Sequence, residues 1–215
     1  MQVFFLTFLL SLLSFDAPES QKVLIIGDSI SIGYFPFVKT SLKAQAEVYH
    51  NAGNAQSTAN GLKKLRAWLV QDEWDIIQFN WGLWDLAYRV PAEKGPGKLD
   101  KQLGKLTTTP QQYRKNLEAL VEILKTTKAK LVFVNTTYVP VDEPGRHSND
   151  AASYNKIAWE IMREHGIRVN DLYTPSVKIH REFGLGADNV HYTEAGYQEL
   201  SKHISSCLER IIQEE

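Results

Sequence analysis

The chain has 215 residues, of which 43% are hydrophobic and 23% charged, with a formal net charge of −1. That is enough for one domain with a full core, and the composition is that of a globular protein rather than a disordered one. A near-neutral charge with no basic run offers nucleic acid no electrostatic footprint, and a single cysteine, Cys207, excludes an intrachain disulfide and a thiolate zinc cluster.

Met1 to Phe15 carries no charge and is almost wholly apolar from Val3 onward. Its length suits the apolar part of a secretory signal and falls short of a membrane span. Residues 1–20 are therefore read as a signal peptide or apolar leader plus linker, and residues 21–215 as the folded domain. Ser14-Phe-Asp-Ala17 offers a cleavage site, although no lysine precedes the apolar run. A secreted or periplasmic protein is expected, or a cytoplasmic one if the run is instead a helix packed on the domain. Membrane contact is expected only through an uncleaved leader.

Val23–Ile26 reads as the first strand, followed by helical pattern from Ser29 to about Gln45, interrupted by Gly33 and Pro36. Glu47–His50 is a short second strand. Ser57 to about Gln71 places Leu62, Leu65, Trp68 and Leu69 on one helical face. Asp75–Phe79 is the third strand. A long connection, Trp81 to Thr108, follows; loops beyond roughly 12–15 residues are uncommon in compact domains and often functional. Its basic residues, Arg89 among them, and its hinge-like Gly95-Pro96-Gly97 suit a lid or substrate wall. Thr109-Pro-Gln-Gln112 has the form of a capping box with proline in the first turn, opening a helix that carries Leu117, Leu120, Val121 and Leu124. Leu131–Asn135 is strand four, Asn149 or Asp150 starts a helix that stops at Gly166, and Ile167–Asp171 is strand five. The last helix runs from Thr193 to about Gln213, and Cys207 falls on it as a core residue. Strands that are continuous apolar runs alternating with helices specify a parallel sheet covered on both faces, an α/β fold.

Two motifs carry chemistry. Gly27-Asp28-Ser29-Ile30 ends the first strand and opens a helix, which places the Ser29 hydroxyl at the carboxyl edge of the sheet and at the positive end of a helix dipole. Near the other end stands Asp188-Asn-Val-His191. Serine needs a base to become a nucleophile, and histidine titrates in the range required. A carboxylate three residues from His191 would fix its tautomer. Each motif alone reads equally as a helix cap or a loop histidine; the two together on one α/β chain make a nucleophile–base pair the better reading. Gly53 and Asn80 also directly follow strands, so right-handed crossovers bring them to the same edge.

These blocks resemble the SGNH hydrolases, also called the GDSL esterase/lipase family: Gly27-Asp28-Ser29-Ile30 is similar to the first block, Asn51-Ala-Gly53-Asn54 to the glycine-bearing block, and Asp188-x-x-His191 to the last. The resemblance runs from about Lys22 to the end. It implies a three-layer α/β/α, flavodoxin-like fold with a five-stranded parallel sheet, and ester hydrolysis without a metal or other cofactor. It further implies Ser29, His191 and Asp188 as catalytic residues, with Ser29 and Gly53 backbone N–H groups in the oxyanion hole. One block departs: where the family has Gly-x-Asn-Asp, this chain reads Gly82-Leu-Trp84-Asp85, so an indole stands at the position of an oxyanion-binding amide. Asn80, two residues before Gly82, is the expected substitute donor, or else a strand-ending amide that braces the neighbouring loop. Asp28, Trp84, Asp85 and Arg89 are expected to line the substrate, although Asp28 also reads as a brace for the turn. Five Trp, nine Tyr and nine Phe, several in these loops, suit stacking on sugar rings. The expected function is a carbohydrate O-acetylesterase acting on a small-molecule or polysaccharide ester. The alternatives are a lipase or thioesterase, or a catalytically weakened carbohydrate-binding protein on the same scaffold.

Overall fold

Gln21–Ile26 (β1) is a strand whose last four residues are wholly buried, and β-branched and leucine side chains face helices on both sides of it. It pairs in parallel with Ala46–His50 (β2) on one side and Ile76–Phe79 (β3) on the other. Lys130–Val134 (β7) pairs in parallel with β3, and Arg168–Asn170 (β8) with β7. The sheet order is therefore β2-β1-β3-β7-β8, the flavodoxin-like order, with its switch point between β1 and β3. The structure, a computed structural model, describes residues 20–93, 95 and 97–214. The proposed leader, Lys94 and Pro96 lie outside the described residues.

Ser29–Leu42 (α1) and Glu194–Gln213 (α6) pack against each other, and Tyr173–Phe183 (α5) packs on α6. Gly33 lets α1 pack tightly on α6; a Cβ there would stand 2.2 Å from the Tyr197 ring. Thr58–Leu69 (α2), Pro110–Leu124 (α3) and Asp150–Glu164 (α4) pack in succession, α2 on α3 and α3 on α4. Right-handed crossovers put these three on the face opposite α1, giving the three-layer architecture. No helix among the described residues is long and apolar enough to cross a membrane. Cys207 is buried in the core, 2% exposed.

Four local expectations need correction. α1 runs unbroken to Leu42 with Pro36 inside it, because the carbonyl that proline leaves unpaired, four residues back at Ile32, lies on the exposed side of the helix. The capping box closes only halfway: Thr109 accepts from the Gln112 N–H, but the Gln112 side chain donates to Asn116 Oδ1 at 2.6 Å rather than reaching back. The connection after β3 is not structureless. Tyr88–Val90 (β4), Lys98–Leu99 (β5) and Lys105–Leu106 (β6) form a small antiparallel sheet in the order β5-β4-β6, fastened by the Tyr88 N–H to Gly145 O at 2.7 Å. Finally, α5 has no counterpart in the sequence reading. Its first N–H groups, on Leu172 and Tyr173, are satisfied by Asn135 Oδ1, 37 and 38 residues away, so no local cap announces it.

Candidate active site

Asp28 opens α1: its backbone is extended and its carboxylate accepts the Ile30 N–H at 3.0 Å. Ser29 is then the first helical residue, and its N–H is among those a helix leaves without an internal partner. Asp28 is only 3% exposed, and burial raises its carboxyl pKa against the opposing pull of the Ile30 N–H and the Arg146 charge. A buried cap does not meet substrate, so the expectation for Asp28 as a substrate-lining residue is corrected to a structural one.

The loop after β2 is stitched to this turn. Asn51 Oδ1 accepts the Gly27 N–H at 2.9 Å, and the Ala55 N–H donates to Gly27 O at 2.9 Å. Gly53 adopts φ +71° within that loop, with open space where a Cβ would stand, so conformation and not room favours glycine. Asn51 Nδ2 donates to Gly53 O at 3.0 Å, and the Gly53 N–H has no hydrogen-bond partner among the described residues.

His191 arrives from the opposite end of the chain, just before Thr193 caps α6. Its Nε2 lies 2.9 Å from Ser29 Oγ. Its Nδ1 lies 2.8 Å from Asn189 Oδ1, which also accepts the His191 backbone N–H at 3.0 Å. Two donors converging on one side-chain atom identify that atom as the amide oxygen. Nδ1 therefore carries the proton and Nε2 turns its lone pair to the serine hydroxyl. The residue that holds the imidazole is thus Asn189 and not Asp188, whose side chain is exposed and makes no hydrogen bond to the ring. The reason is the path of the 184–192 loop. The Leu185 N–H donates to His191 O at 3.0 Å and Asn189 N–H to Gly186 O at 3.3 Å, while His180 Nε2 of α5 donates to Asn189 O at 2.6 Å. These bonds turn Asn189 inward and leave Asp188 to solvent.

Burial lowers the His191 pKa, the nearby Arg146 charge lowers it further, and Glu143 opposes both. The imidazole is consequently neutral, able to accept a proton, to lower pH than a free histidine. The pH–rate profile for kcat/KM is expected to rise through a midpoint below 6.5, the ordinary histidine value, and to be flat above it. A midpoint above 6.5 in initial-rate measurements would contradict this electrostatic picture.

The block after β3 behaves differently from expectation. Asn80 Nδ2 donates to Val134 O at 2.7 Å, so one of its two N–H groups is bonded to the end of strand β7 and not to a neighbouring loop. Asp85 is 0% exposed and accepts from both the Thr58 N–H, at 3.0 and 3.1 Å, and the Thr58 hydroxyl, at 2.5 Å. It anchors the start of α2, and burial pushes its carboxyl up to about 6. Asp85 is therefore a structural residue and not a substrate contact. Trp84 is half-buried, and the Arg89 guanidinium lies 4.5 Å over its ring. Arg89 Nη1 donates to Gly97 O at 3.1 Å, while Nε is buried with no partner. Cation and ring together make a flat, polar-edged platform on the β4 sheet.

Sequence reasoning missed two further features. Asn189 sits beside Asp188, and spacing alone cannot say which of two adjacent side chains a loop turns inward. The second is a buried ion pair on the loop after β7, where Arg146 Nη1 donates to Glu143 Oε1 at 2.6 Å with side chains 5% and 2% exposed. Its signal was the Glu-Pro-Gly-Arg spacing. Among the described residues no three His, Cys, Asp or Glu side chains gather as a metal ion would require.

The fold and this geometry can be compared with known proteins. The model of the GDSL-like lipase/acylhydrolase family matches residues 25–199. The chain belongs to that family. It is accordingly an ester-hydrolysing enzyme, and its five-stranded parallel sheet flanked by helices matches the fold of its structural neighbours. Among solved structures, a lipase/acylhydrolase from Enterococcus faecalis superposes with a TM-score of 0.70 at 21% identity, covering 89% of this chain and 96% of that one. The acetyl xylan esterase AlAXEase gives 0.68 at 16% identity, with coverages of 87% and 99%. Axe2, an acetylxylan esterase from Geobacillus stearothermophilus, gives 0.67 at 16% identity, with coverages of 91% and 95%. No curated protein sequence matches the chain significantly. Identities this low establish the esterase's fold and leave its substrate to be argued from the site.

Proposed function

We propose that this esterase removes acetyl groups from a carbohydrate through an acyl-enzyme on Ser29. The observation that carries the reading is the 2.9 Å contact between Ser29 Oγ and His191 Nε2, with Nδ1 fixed on the far side by Asn189. As Oγ bonds to the ester carbonyl carbon, its proton passes to Nε2. The carbonyl oxygen becomes negative in front of the Ser29 and Gly53 N–H groups, which make no hydrogen bond among the described residues. His191 then gives the proton to the leaving alcohol as the C–O bond breaks. Water repeats the sequence on the acyl-serine and releases the acid.

Two features favour a short acyl group on a sugar. The Trp84–Arg89 platform presents an aromatic face and a cation edge, a surface suited to a sugar ring and its hydroxyls. Two of the structural neighbours bear the name acetylxylan esterase.

Aryl esters of increasing chain length supply the test. Acetate is expected to turn over fastest, with a steep fall by octanoate, and acetate should be released from acetylated oligosaccharides. A preference for octanoate would favour the lipase or thioesterase alternative. Trp84→Ala is expected to raise KM for an acetylated oligosaccharide about tenfold, in line with one lost stacking contact of about 1.4 kcal/mol, while KM for p-nitrophenyl acetate stays within threefold. Equal effects on both substrates would remove Trp84 from the sugar site.

A further inference from the structure

We propose that Arg146 is a catalytic residue of this esterase: its free Nη2 donates to the oxygen that turns negative when Ser29 attacks the ester. The proposal rests on the acyl-enzyme reading above and adds a donor to it. Three facts place the guanidinium. Its Nε donates to Leu83 O at 2.7 Å, and Leu83 lines a small cavity with Asp28 and Ile30, the residues before and after Ser29 in the chain. Its Nη1 is held by Glu143 Oε1 at 2.6 Å, and the other oxygen of Glu143 accepts the Gly145 N–H at 2.8 Å. A guanidinium is planar, so fixing two nitrogens fixes the direction of the third. That third nitrogen, Nη2, makes no hydrogen bond among the described residues, although the side chain is only 5% exposed.

Nη2 is not among the described polar atoms that are enclosed without a partner, so this edge of the guanidinium is open to solvent and holds no part of the loop. The arrangement is instead that of a donor held ready for an acceptor that appears during the reaction. The charge of Arg146 is felt by both Asp28, next to Ser29 in the chain, and His191, whose Nε2 lies 2.9 Å from Ser29 Oγ. The site also needs such a donor. Trp84 occupies the position from which the family offers an amide, and its ring lies under Arg89; Asn80 has one N–H committed to Val134 O. The Ser29 and Gly53 N–H groups alone would leave the oxyanion with two neutral donors. Arg146 supplies a third that is charged, and charge-assisted bonds are roughly twice as strong as neutral ones.

Two variants test this. Arg146→Lys keeps a cation beside Glu143 but loses the fork, and the Arg146→Met, Glu143→Met double variant removes both charges so that no lone carboxylate is left buried. With p-nitrophenyl acetate, kcat is expected to fall about 10²–10³-fold in each, with KM within threefold. Affinity for a small alkylboronic acid, which bonds to Ser29 Oγ as a tetrahedral anion, is expected to weaken by a matching factor. A loop-bracing role would disturb KM and leave no such match. Wild-type kcat in either folded variant, or a loss of kcat with boronate affinity retained, overturns the proposal. A wild-type protein without aryl acetate turnover would instead retire the acyl-enzyme reading itself.

Discussion

Ser29→Ala is expected to lower aryl acetate turnover by about 10⁴–10⁶-fold while leaving the protein folded. Among the described residues the hydroxyl of Ser29 bonds only to His191, at a half-buried position, so its loss removes one hydrogen bond of about 1 kcal/mol from the fold. The backbone N–H of residue 29 and the Asp28 cap are untouched by the substitution. The catalytic loss is large because, among the described residues, no other hydroxyl bonds to His191 Nε2. Ser31, two residues on, is 2% exposed and engaged with Asp28 O and His50 Nε2. Thermal unfolding within a few degrees of wild type, alongside initial rates at the background level, is the expected pair of measurements. Turnover within tenfold of wild type would place the nucleophile elsewhere.

The second large effect separates two adjacent residues. Asn189→Ala is expected to cost about 10²–10³-fold in kcat, whereas Asp188→Ala stays within threefold of wild type. Asn189 Oδ1 receives both the Nδ1–H and the backbone N–H of His191, so removing it frees the ring to turn and to carry its proton on the wrong nitrogen. An amide oxygen orients the imidazole without adding a negative charge to stabilise the imidazolium. Asn189→Asp adds that charge, and the account expects the acid limb of the pH–rate profile to move upward and kcat to rise. Steady-state kinetics on the three variants across pH 4.5–8.5, roughly two units either side of the histidine range, read all of this. A 10²-fold loss in Asp188→Ala with Asn189→Ala unaffected would restore the carboxylate to the ring.

How much of this was legible in the chain depended on how local the determining forces are. The continuous apolar strands, the Thr193 cap and the Asp28-Ser29 turn are specified within a few residues, and they appear where the pattern places them. Helix α5 was not legible, because its first N–H groups are capped from β7's end by Asn135. The same non-local dependence hid the orientation of the His191 loop. His180 of α5 holds the Asn189 carbonyl and so decides that Asn189 points inward. A spacing of three between Asp188 and His191 was compatible with a bonded pair, but the hydrogen bonds that steer the loop come from an element the sequence did not reveal. Asp85 misled for a related reason: a carboxylate near a site motif reads as functional until burial and the Thr58 N–H claim it. The β4 sheet, by contrast, gives form to a connection whose length alone marked it as functional.

Treatment of the intact protein with a fluorophosphonate, followed by peptide mass spectrometry, tests the central claim most directly. An activated serine backed by His191 predicts one covalent adduct, on Ser29, that disappears when His191 is changed to Ala. An unmodified Ser29 in folded protein, or an adduct that forms as fast without the imidazole, would contradict the account.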